Sequence, residues 1–393
     1  MYYPRKLTNV IKKHIDDEEI IVLTGMRRVG KTTLYKNIFE KIKSKNKLFL
    51  DIENPLDQIV FEEKDLNNIL SNLEKYGIKK NEKIYLFLDE IQAKPDLIQA
   101  VKYLYDNYDI KFFLTGSSSY YLKNLFSESL AGRKFIFELY PLDFEEFLIF
   151  KSQKIFFYPT LEQKGENKNL ISFEKKKKLY EEYLEYGGFP EVVLMDDLET
   201  KKMKINDVFK SYFEIDVKKM ADFSKVDSFR NLIFLLTSRV GQKLDISKLS
   251  TEIGVSRMTI YSYLSFLEST YFINLISPYS KNTDREISGA RKIYFCDTGI
   301  INQLAKIDNG NVFENSVFLN LKKYGKINYY QRRNGREIDF VLNKKIGVEV
   351  KIRGLTQDLN RLIKQGKKID LSKFYIISKE FNKEKFIIPA TDL

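Results

Sequence analysis

Residues 20–33 read Ile-Ile-Val-Leu-Thr-Gly-Met-Arg-Arg-Val-Gly-Lys-Thr-Thr, an apolar run that stops on a glycine and resumes as a helical pattern. No other stretch narrows the fold as much. In the pattern G-x-x-x-x-G-K-[ST], Gly25 and Gly30 let the backbone curl so that its N–H groups converge on a phosphate. Lys31 is placed to reach the β- and γ-phosphates, and the Thr32 hydroxyl to enter a Mg²⁺ shell. Ile20–Thr24 reads as a buried strand. Leu34, Ile38, Phe39 and Ile42 have helical spacing, so the loop ends on a helix N-terminus, which favours an anion. Gly25, Met26, Arg27, Arg28, Val29, Gly30, Lys31, Thr32 and Thr33 are therefore expected to cradle ATP with Mg²⁺.

A second element belongs with this loop. The run Lys83–Leu88 delivers Asp89-Glu90 to the end of a strand, the pattern of a Walker B acid pair. Asp89 would bind the metal ion through water, and Glu90 would polarise the attacking water. Phe112–Thr115 runs into Gly116-Ser-Ser-Ser, so Thr115 or Ser117 would inspect the γ-phosphate; a capped Ser/Gly turn is the plainer alternative. Arg133 is either an arginine finger, from its own or a neighbouring subunit, or a surface ion pair. The first option leaves a homo-oligomer open.

Lys47–Ile52, Lys83–Leu88 and Ile110–Thr115 are further strands, and Asp96–Tyr108 a helix, so the first 155 residues predict an α/β parallel sheet. Lys151–Lys178 reads as a polar linker whose lysine run is solvated. Leu179–Phe223 reads as helical with a break at Gly187-Gly-Phe-Pro. Residues 225–290 resemble a winged helix-turn-helix. Asp245 caps one helix, Gly254-Val-Ser forms the turn, Arg257–Glu268 is the second helix, and Lys281–Ser288 is the wing. Arg257, Thr259, Ser262 and Tyr263 are its candidate DNA contacts.

Charge and composition set the remaining bounds. With one cysteine, Cys296, and one histidine, His14, the chain has no cysteine-rich zinc site, no intrachain disulfide and no means for Ser-His-Asp chemistry. No long apolar run or signal-peptide core stands out, so a cytoplasmic protein without a membrane partner is expected. The net charge is +12, and residues 291–393 hold 21 Lys and Arg against 11 Asp and Glu. That local excess points to a polyanion, DNA in the first instance. Residues 225–290 hold only 8 basic against 6 acidic residues, which is mild for a domain gripping phosphates.

The C-terminal region carries its own constellation. Ile338–Leu342 and Gly347–Ile352 form two strands around the polar turn Asn343–Lys345, which sets Asp339 opposite Glu349–Lys351. Glu349 and Lys351 share a face because side chains alternate along a strand. Asp339 and Glu349 would hold Mg²⁺, with Glu314 completing the site and Lys351 orienting or deprotonating water. The plainer reading is a hairpin with cross-strand ion pairs.

Taken together, Gly25–Thr33, Leu88–Gln92, Leu114–Ser118, Gly132-Arg133, Pro141–Phe147, Gly187–Glu191, Asp297–Gly299 and Asp339…Glu349-x-Lys351 resemble a prokaryotic, archaeal-type AAA ATPase family. Its members join a P-loop core to a winged helix and a C-terminal restriction-endonuclease-like domain of unknown function. The resemblance implies an ATPase core over residues 1–155, a helical lid or linker over 156–224, the winged helix over 225–290 and the nuclease-like α/β domain over 291–393. The resemblance names an architecture better than a role. With the basic C-terminal charge and the carboxylate motif, the expected function is a Mg²⁺-dependent ATPase coupled to nucleic acid, with nuclease chemistry in the last domain left as an option. A nucleotide-controlled switch with an inactive nuclease-like domain is the rival.

Overall fold

The computed structural model describes residues 2–117, 132–154, 156–217, 226–332, 335 and 337–393. It divides into two compact units, Met1–Tyr140 with Ser269–Tyr271, and Pro141–Glu268 with Phe272–Leu393.

The first unit is a parallel sheet built from the four expected strands and a fifth, Lys134–Glu138, that was not expected. Five strands, β1 (Ile20–Thr24), β2 (Lys47–Asp51), β3 (Ile84–Asp89), β4 (Ile110–Gly116) and β5 (Lys134–Glu138), lie in the order β2-β3-β4-β1-β5. Every pairing is parallel, with Ile20 opposite Lys134 and Leu23 opposite Thr115. β1 and β4 are buried along their whole length, as a sheet covered on both faces requires. Helices α1 (Lys31–Lys41) and α2 (Leu97–Asn107) supply the covering stripes. Phe87 and Phe113 stack at 4.1 Å, and Tyr35 of α1 meets both rings edge-on. This is the α/β architecture of a P-loop NTPase, followed by helical and sheet regions.

The second unit begins with α3 (Phe144–Phe150), α4 (Leu170–Tyr186) and α5 (Leu198–Ser211). The lysine run expected in a solvated linker lies inside α4 instead. Lys176 is only 3% exposed and pairs with Asp392, while Lys164 and Lys323 both reach Glu145 at 2.9 Å. A local reading of charge missed these pairs because each partner lies far away in sequence.

Three helices follow, α6 (Val226–Thr237), α7 (Ile246–Ile253) and α8 (Arg257–Ser269), then the antiparallel pair β6 (Ile273–Ile276) and β7 (Lys292–Phe295). Asp245 caps α7 by accepting the Lys248 N–H at 3.0 Å, as its side-chain chemistry predicts. The segment expected as an extended wing contains a short helix, Thr283–Ser288, started by the Asn282 side chain accepting the Asp284 N–H.

After α9 (Thr298–Leu304) and α10 (Asn309–Leu321), a mixed sheet closes the unit. Its strands are β8 (Ile327–Gln331), β9 (Glu337–Leu342), β10 (Ile346–Lys351), β11 (Lys373–Ser378) and β12 (Ile387–Pro389), in the order β12-β11-β10-β9-β8. Helix α11 (Thr356–Gly366) packs Leu359 and Leu362 against Ile338, Val341 and Ile376.

Asp297 ties two distant glycine motifs together. Its carboxylate accepts the Gly188 N–H at 2.6 Å and the Ile300 N–H at 3.2 Å, so it both caps α9 and anchors the break after α4. A Cβ at Gly187, where φ is +76°, would lie 2.0 Å from Asp297 Oδ1. Burial pushes the Asp297 carboxyl up to about 6 against the pull of those backbone N–H groups.

Candidate nucleotide site and the C-terminal carboxylate cluster

The loop between β1 and α1 has the shape its glycines require. Gly25 takes φ +151°, and a Cβ there would meet the Leu139 carbonyl oxygen at 2.1 Å. Gly30 precedes α1 at φ +95°, and the Leu34 N–H closes back onto its carbonyl at 3.0 Å. Met26 and Val29 are buried beneath the loop, while Arg28 and Thr33 are exposed on it. Arg27 pairs with Glu53 at 3.2 Å. Arg5, which no motif flagged, donates to the carbonyls of Val29 (2.8 Å) and Tyr140 (2.7 Å), pinning the loop to the end of β5.

Lys31, Thr32, Asp89, Glu90 and Thr115 meet at this loop. The buried Lys31 ammonium donates to the carbonyls of Gly25 (3.0 Å) and Met26 (3.2 Å) and lies 3.7 Å from Glu90 Oε1. The Thr32 hydroxyl donates to Asp89 Oδ2 at 2.6 Å. Thr115 donates to the other Asp89 oxygen and accepts the Glu90 N–H at 2.9 Å. Both capacities of the Thr115 hydroxyl are thus used by the acid pair. Of the two candidates for inspecting a γ-phosphate, Ser117 has the connected position, since the Gln92 amide bridges it (3.1 Å) to Glu90.

The two acids are tuned apart. Burial, helped by repulsion from Glu90, raises Asp89 despite the Thr115 and Thr32 hydroxyls. Burial would also raise Glu90, but the Lys31 and Arg27 cations outweigh it and hold that carboxyl below its ordinary value. A hydroxyl and a carboxylate in contact at a helix start, beside a buried ammonium, form a donor set that fits Mg²⁺ with a nucleotide. Thr32 and Asp89 would hold the ion.

Arg133 lies elsewhere. Strand register puts it one step before the β5 residue that faces Ile20, at the end of the sheet opposite the loop. At about 3.3 Å per residue, roughly 20 Å of β1 separates it from Gly25 in the same chain. Its Nε contacts Asp106 Oδ1 at 3.1 Å on a partly exposed surface. An own-subunit finger is therefore overturned by the register.

In the second unit, Asp339 and Glu349 come together as the hairpin predicts. Asp339 Oδ2 accepts the Val350 N–H at 2.7 Å, and Glu349 lies 3.5 Å from the Lys351 ammonium. The placement depends on a bulge that an alternating pattern could not reveal. Between the pairs Asn328–Val341 and Tyr330–Ile338, β9 has one residue more than β8. Two residues, Asp339 and Phe340, thus face one. Ile338 and Val341 both enter the core beneath α11, while Phe340 packs on Tyr294 and Phe318.

Glu314 feels the Asp339 charge but takes its direct contacts from another pair of side chains. It accepts from the Tyr294 hydroxyl at 2.7 Å and lies 3.8 Å from Lys292, whose ammonium also pairs with Glu337. Burial, then the Asp339 charge, pushes Glu314 up to about 7. Glu349 also rises to about 7, chiefly through burial, with Asp339 adding and Lys351 opposing. For Lys351, Asp339 and Glu349 outweigh the lowering effect of burial. Among the described residues, no group of three or more His, Cys, Asp or Glu side chains is disposed to hold a metal ion. The expected set of Asp339, Glu349 and Glu314 does not fit a shared cation, because Lys292 already serves Glu314.

The helix-turn-helix contacts also need correction. Tyr263 is 2% exposed and packs edge-on against Phe229 at 5.1 Å, so it faces the core and not a ligand. Thr259 is engaged with the Ser256 hydroxyl at 2.9 Å. Arg257 and Ser262 are exposed, beside Met258 (73%) and Tyr261 (54%).

Comparison with known proteins bears on these sites. Residues 17–148 match the model of an AAA domain, residues 177–311 a domain of unknown function (DUF8612), and residues 309–393 another (DUF4143). An uncharacterised protein of Methanocaldococcus jannaschii is 30% identical over 355 residues, covering 86% of this chain and 76% of that one. The chain belongs to this AAA-type ATPase family. A second relative, an uncharacterised protein of Haemophilus influenzae, is 28% identical over 342 residues, covering 84% of this chain and 80% of that one. Among solved structures, the Walker-type ATPase PABY2304 of Pyrococcus abyssi is similar at 14% identity and a TM-score of 0.46, over 77% of this chain and 96% of that one. Among the described residues of this AAA-type chain, no helix is long and apolar enough to cross a membrane.

Proposed function

We infer that this chain hydrolyses ATP at the loop of its first unit and uses the cycle to act on nucleic acid through its second. The observation that carries the hydrolytic part is the single connected set of contacts joining Lys31, Thr32, Asp89 and Glu90. Bound phosphates would draw the Lys31 ammonium from the carbonyls of Gly25 and Met26, and the N–H groups of the α1 start would receive them. Mg²⁺, held by Thr32 and Asp89, would supply neutralisation of phosphate charge. Glu90, kept ionised by its cationic neighbours, accepts the proton of the attacking water. Ser117 reports on the same spot through Gln92. Arg133, if it serves a nucleotide, serves that of a second copy.

The nucleic-acid part rests on the excess of basic residues in 291–393. The proposed organisation keeps the four segments 1–155, 156–224, 225–290 and 291–393, inside the cell. The rival, a nucleotide-controlled switch whose last domain recognises a partner, draws support from Lys292, which engages Glu314, one of the three carboxylates expected to share a cation.

Phosphate release with and without DNA or RNA tests the reading. Lys31→Ala is expected to lose turnover by at least about a hundredfold. Glu90→Gln should still bind ATP while hydrolysing about 10²–10⁴ times more slowly. Normal turnover by Lys31→Ala would sink the site. Turnover indifferent to nucleic acid, with no salt-dependent binding, would favour the switch.

A further inference from the structure

Part of the basic excess of residues 291–393 converges on one cavity of the second unit. The cavity measures about 450 Å³ and is lined by Arg332, Arg361, Lys364, Gln365 and Lys368. Four of the five share one face of α11 and its continuation, at the spacing i, i+3, i+4, i+7. Arg332 approaches from the end of β8. Among the described residues, the only acidic group found against these cations is Asp358, 3.9 Å from Arg361. Four converging cations against a single carboxylate form a field that favours an anion.

Gln365 adds an independent sign. It is 8% exposed, lines the cavity, and its Oε1 is buried with no hydrogen-bond partner. A buried amide left unpaired is costly unless something supplies the missing bond. Cations alone do not explain it. The Oε1 itself is closed to solvent, so the amide must turn over to present it to the cavity; a ligand that carries acidic oxygens and a neighbouring O–H or N–H donor then meets the whole lining. A nucleotide unit has that combination, with phosphate for the cations and a sugar hydroxyl or base amine for Gln365. The volume lies within the range of pockets that hold such groups.

We propose that the Arg332–Arg361–Lys364–Gln365–Lys368 cavity is a binding site for a phosphorylated nucleotide unit, contributed by a nucleic-acid strand. The strand as source rests on the function proposed above; a free nucleotide shares the chemistry. Position agrees with a strand. Asp358, whose charge acts on Glu349 and Lys351, lies on the same helix six residues before Lys364, about 9 Å along its axis. A chain of nucleotides leaving the cavity towards the start of α11 would pass the Asp339–Glu349 cluster.

The test uses full-length protein and three fluorescent probes: a 20-nucleotide single-stranded DNA, the same sequence as RNA, and adenosine 3′,5′-bisphosphate. Anisotropy is read from 50 to 200 mM salt. Lys364→Ala combined with Lys368→Ala should weaken strand binding at least tenfold and flatten the salt slope by about one for each phosphate no longer neutralised. Gln365→Leu should weaken binding several-fold with the slope unchanged, which a purely electrostatic patch would not show. Gln365→Glu, isosteric with the native side chain, should weaken it more. ATP turnover measured on each variant confirms that the chain is folded. Strand binding equal to wild type in all three variants would overturn the site while leaving the nucleic-acid reading intact. Binding of the bisphosphate alone, abolished in the lysine variant, would keep the site and sink that reading. No binding of any probe would end both.

Discussion

The nucleotide loop and the C-terminal cluster both gather carboxylates around a lysine, but they are assembled by different means. In the first unit the backbone sets the geometry: two glycines shape the loop, a helix start supplies N–H groups, and parallel strands deliver Asp89, Glu90 and Thr115 to one sheet edge. In the second, one extra residue in β9 and a buried lysine from β7 decide which carboxylates face one another. Backbone-built sites tolerate changes in surrounding side chains. A side-chain-built site changes character with a single charge. That contrast explains why the first has the fit of an ATP-Mg²⁺ site and the second does not close around a cation.

The largest expected effect would break the comparison outright. Asp89→Asn should reduce ATP turnover by a hundredfold or more, about 3 kcal/mol of barrier, because the side chain that anchors Thr32 and Thr115 loses its charge. Asp339→Asn should leave turnover unchanged, since Asn can still accept the Val350 N–H. Parallel phosphate-release assays on the two variants check both statements. A loss with Asp339→Asn would mean that the clusters are not independent.

Next in size is Lys292→Met. Removing this ammonium leaves Glu314 and Glu337 facing each other in a mostly buried place, a change on the order of 3 kcal/mol at pH 8. Glu314 already titrates near 7, and without Lys292 it moves higher. A group raised in the folded state holds its proton there longer than in the unfolded chain, so stability falls as pH rises. The deficit should therefore shrink when urea unfolding is repeated at pH 5.5. A deficit independent of pH would show that Lys292 acts through packing alone.

How much of this was legible follows the same division. The loop, the Asp89-Glu90 pair and four of the five strands of the first unit could be read because each is a local pattern, a motif or an apolar run of five to seven residues; β5, half-buried to exposed along its length, offers no such run. The hairpin of β9 and β10 could be read for the same reason. The bulge at Asp339-Phe340 could not, since it is defined against β8 and not within β9. Nor could the pairings of Lys176 with Asp392 and of Lys292 with Glu314, whose partners lie far off in sequence. Tyr263 was legible and misread: with Ile260, Leu264 and Leu267 it completes an i, i+3, i+4, i+7 stripe, which puts it in the core. Arg5 carried no signal, because a single arginine after a proline looks like surface.

Asp297→Asn comes third. Asn keeps one acceptor oxygen, so one of the two N–H bonds, to Gly188 or Ile300, is broken, at a cost of about 1–3 kcal/mol. The pH dependence gives a second readout. The folded carboxyl keeps its proton to about 6, whereas in the unfolded chain it ionises near its ordinary value of about 3.9. Wild-type stability from this group therefore declines between about pH 4 and 6, by up to roughly 3 kcal/mol, and is level above. The variant lacks that slope. Its deficit should be greatest near pH 4 and narrow towards pH 6, as urea midpoints at the two values would show.

The smallest expected effect is the most pointed test of the sheet itself. Arg133→Ala removes one partly exposed contact with Asp106, a change of stability within about 1 kcal/mol. At concentrations where sedimentation finds only monomer, turnover should equal wild type, because the register with β1 sets Arg133 about 20 Å from the loop it would have to reach. If the variant loses turnover only as concentration rises and copies associate, Arg133 acts on a neighbour's nucleotide. Loss in the monomer would contradict the order β4-β1-β5, and with it the placement of every group argued from that edge.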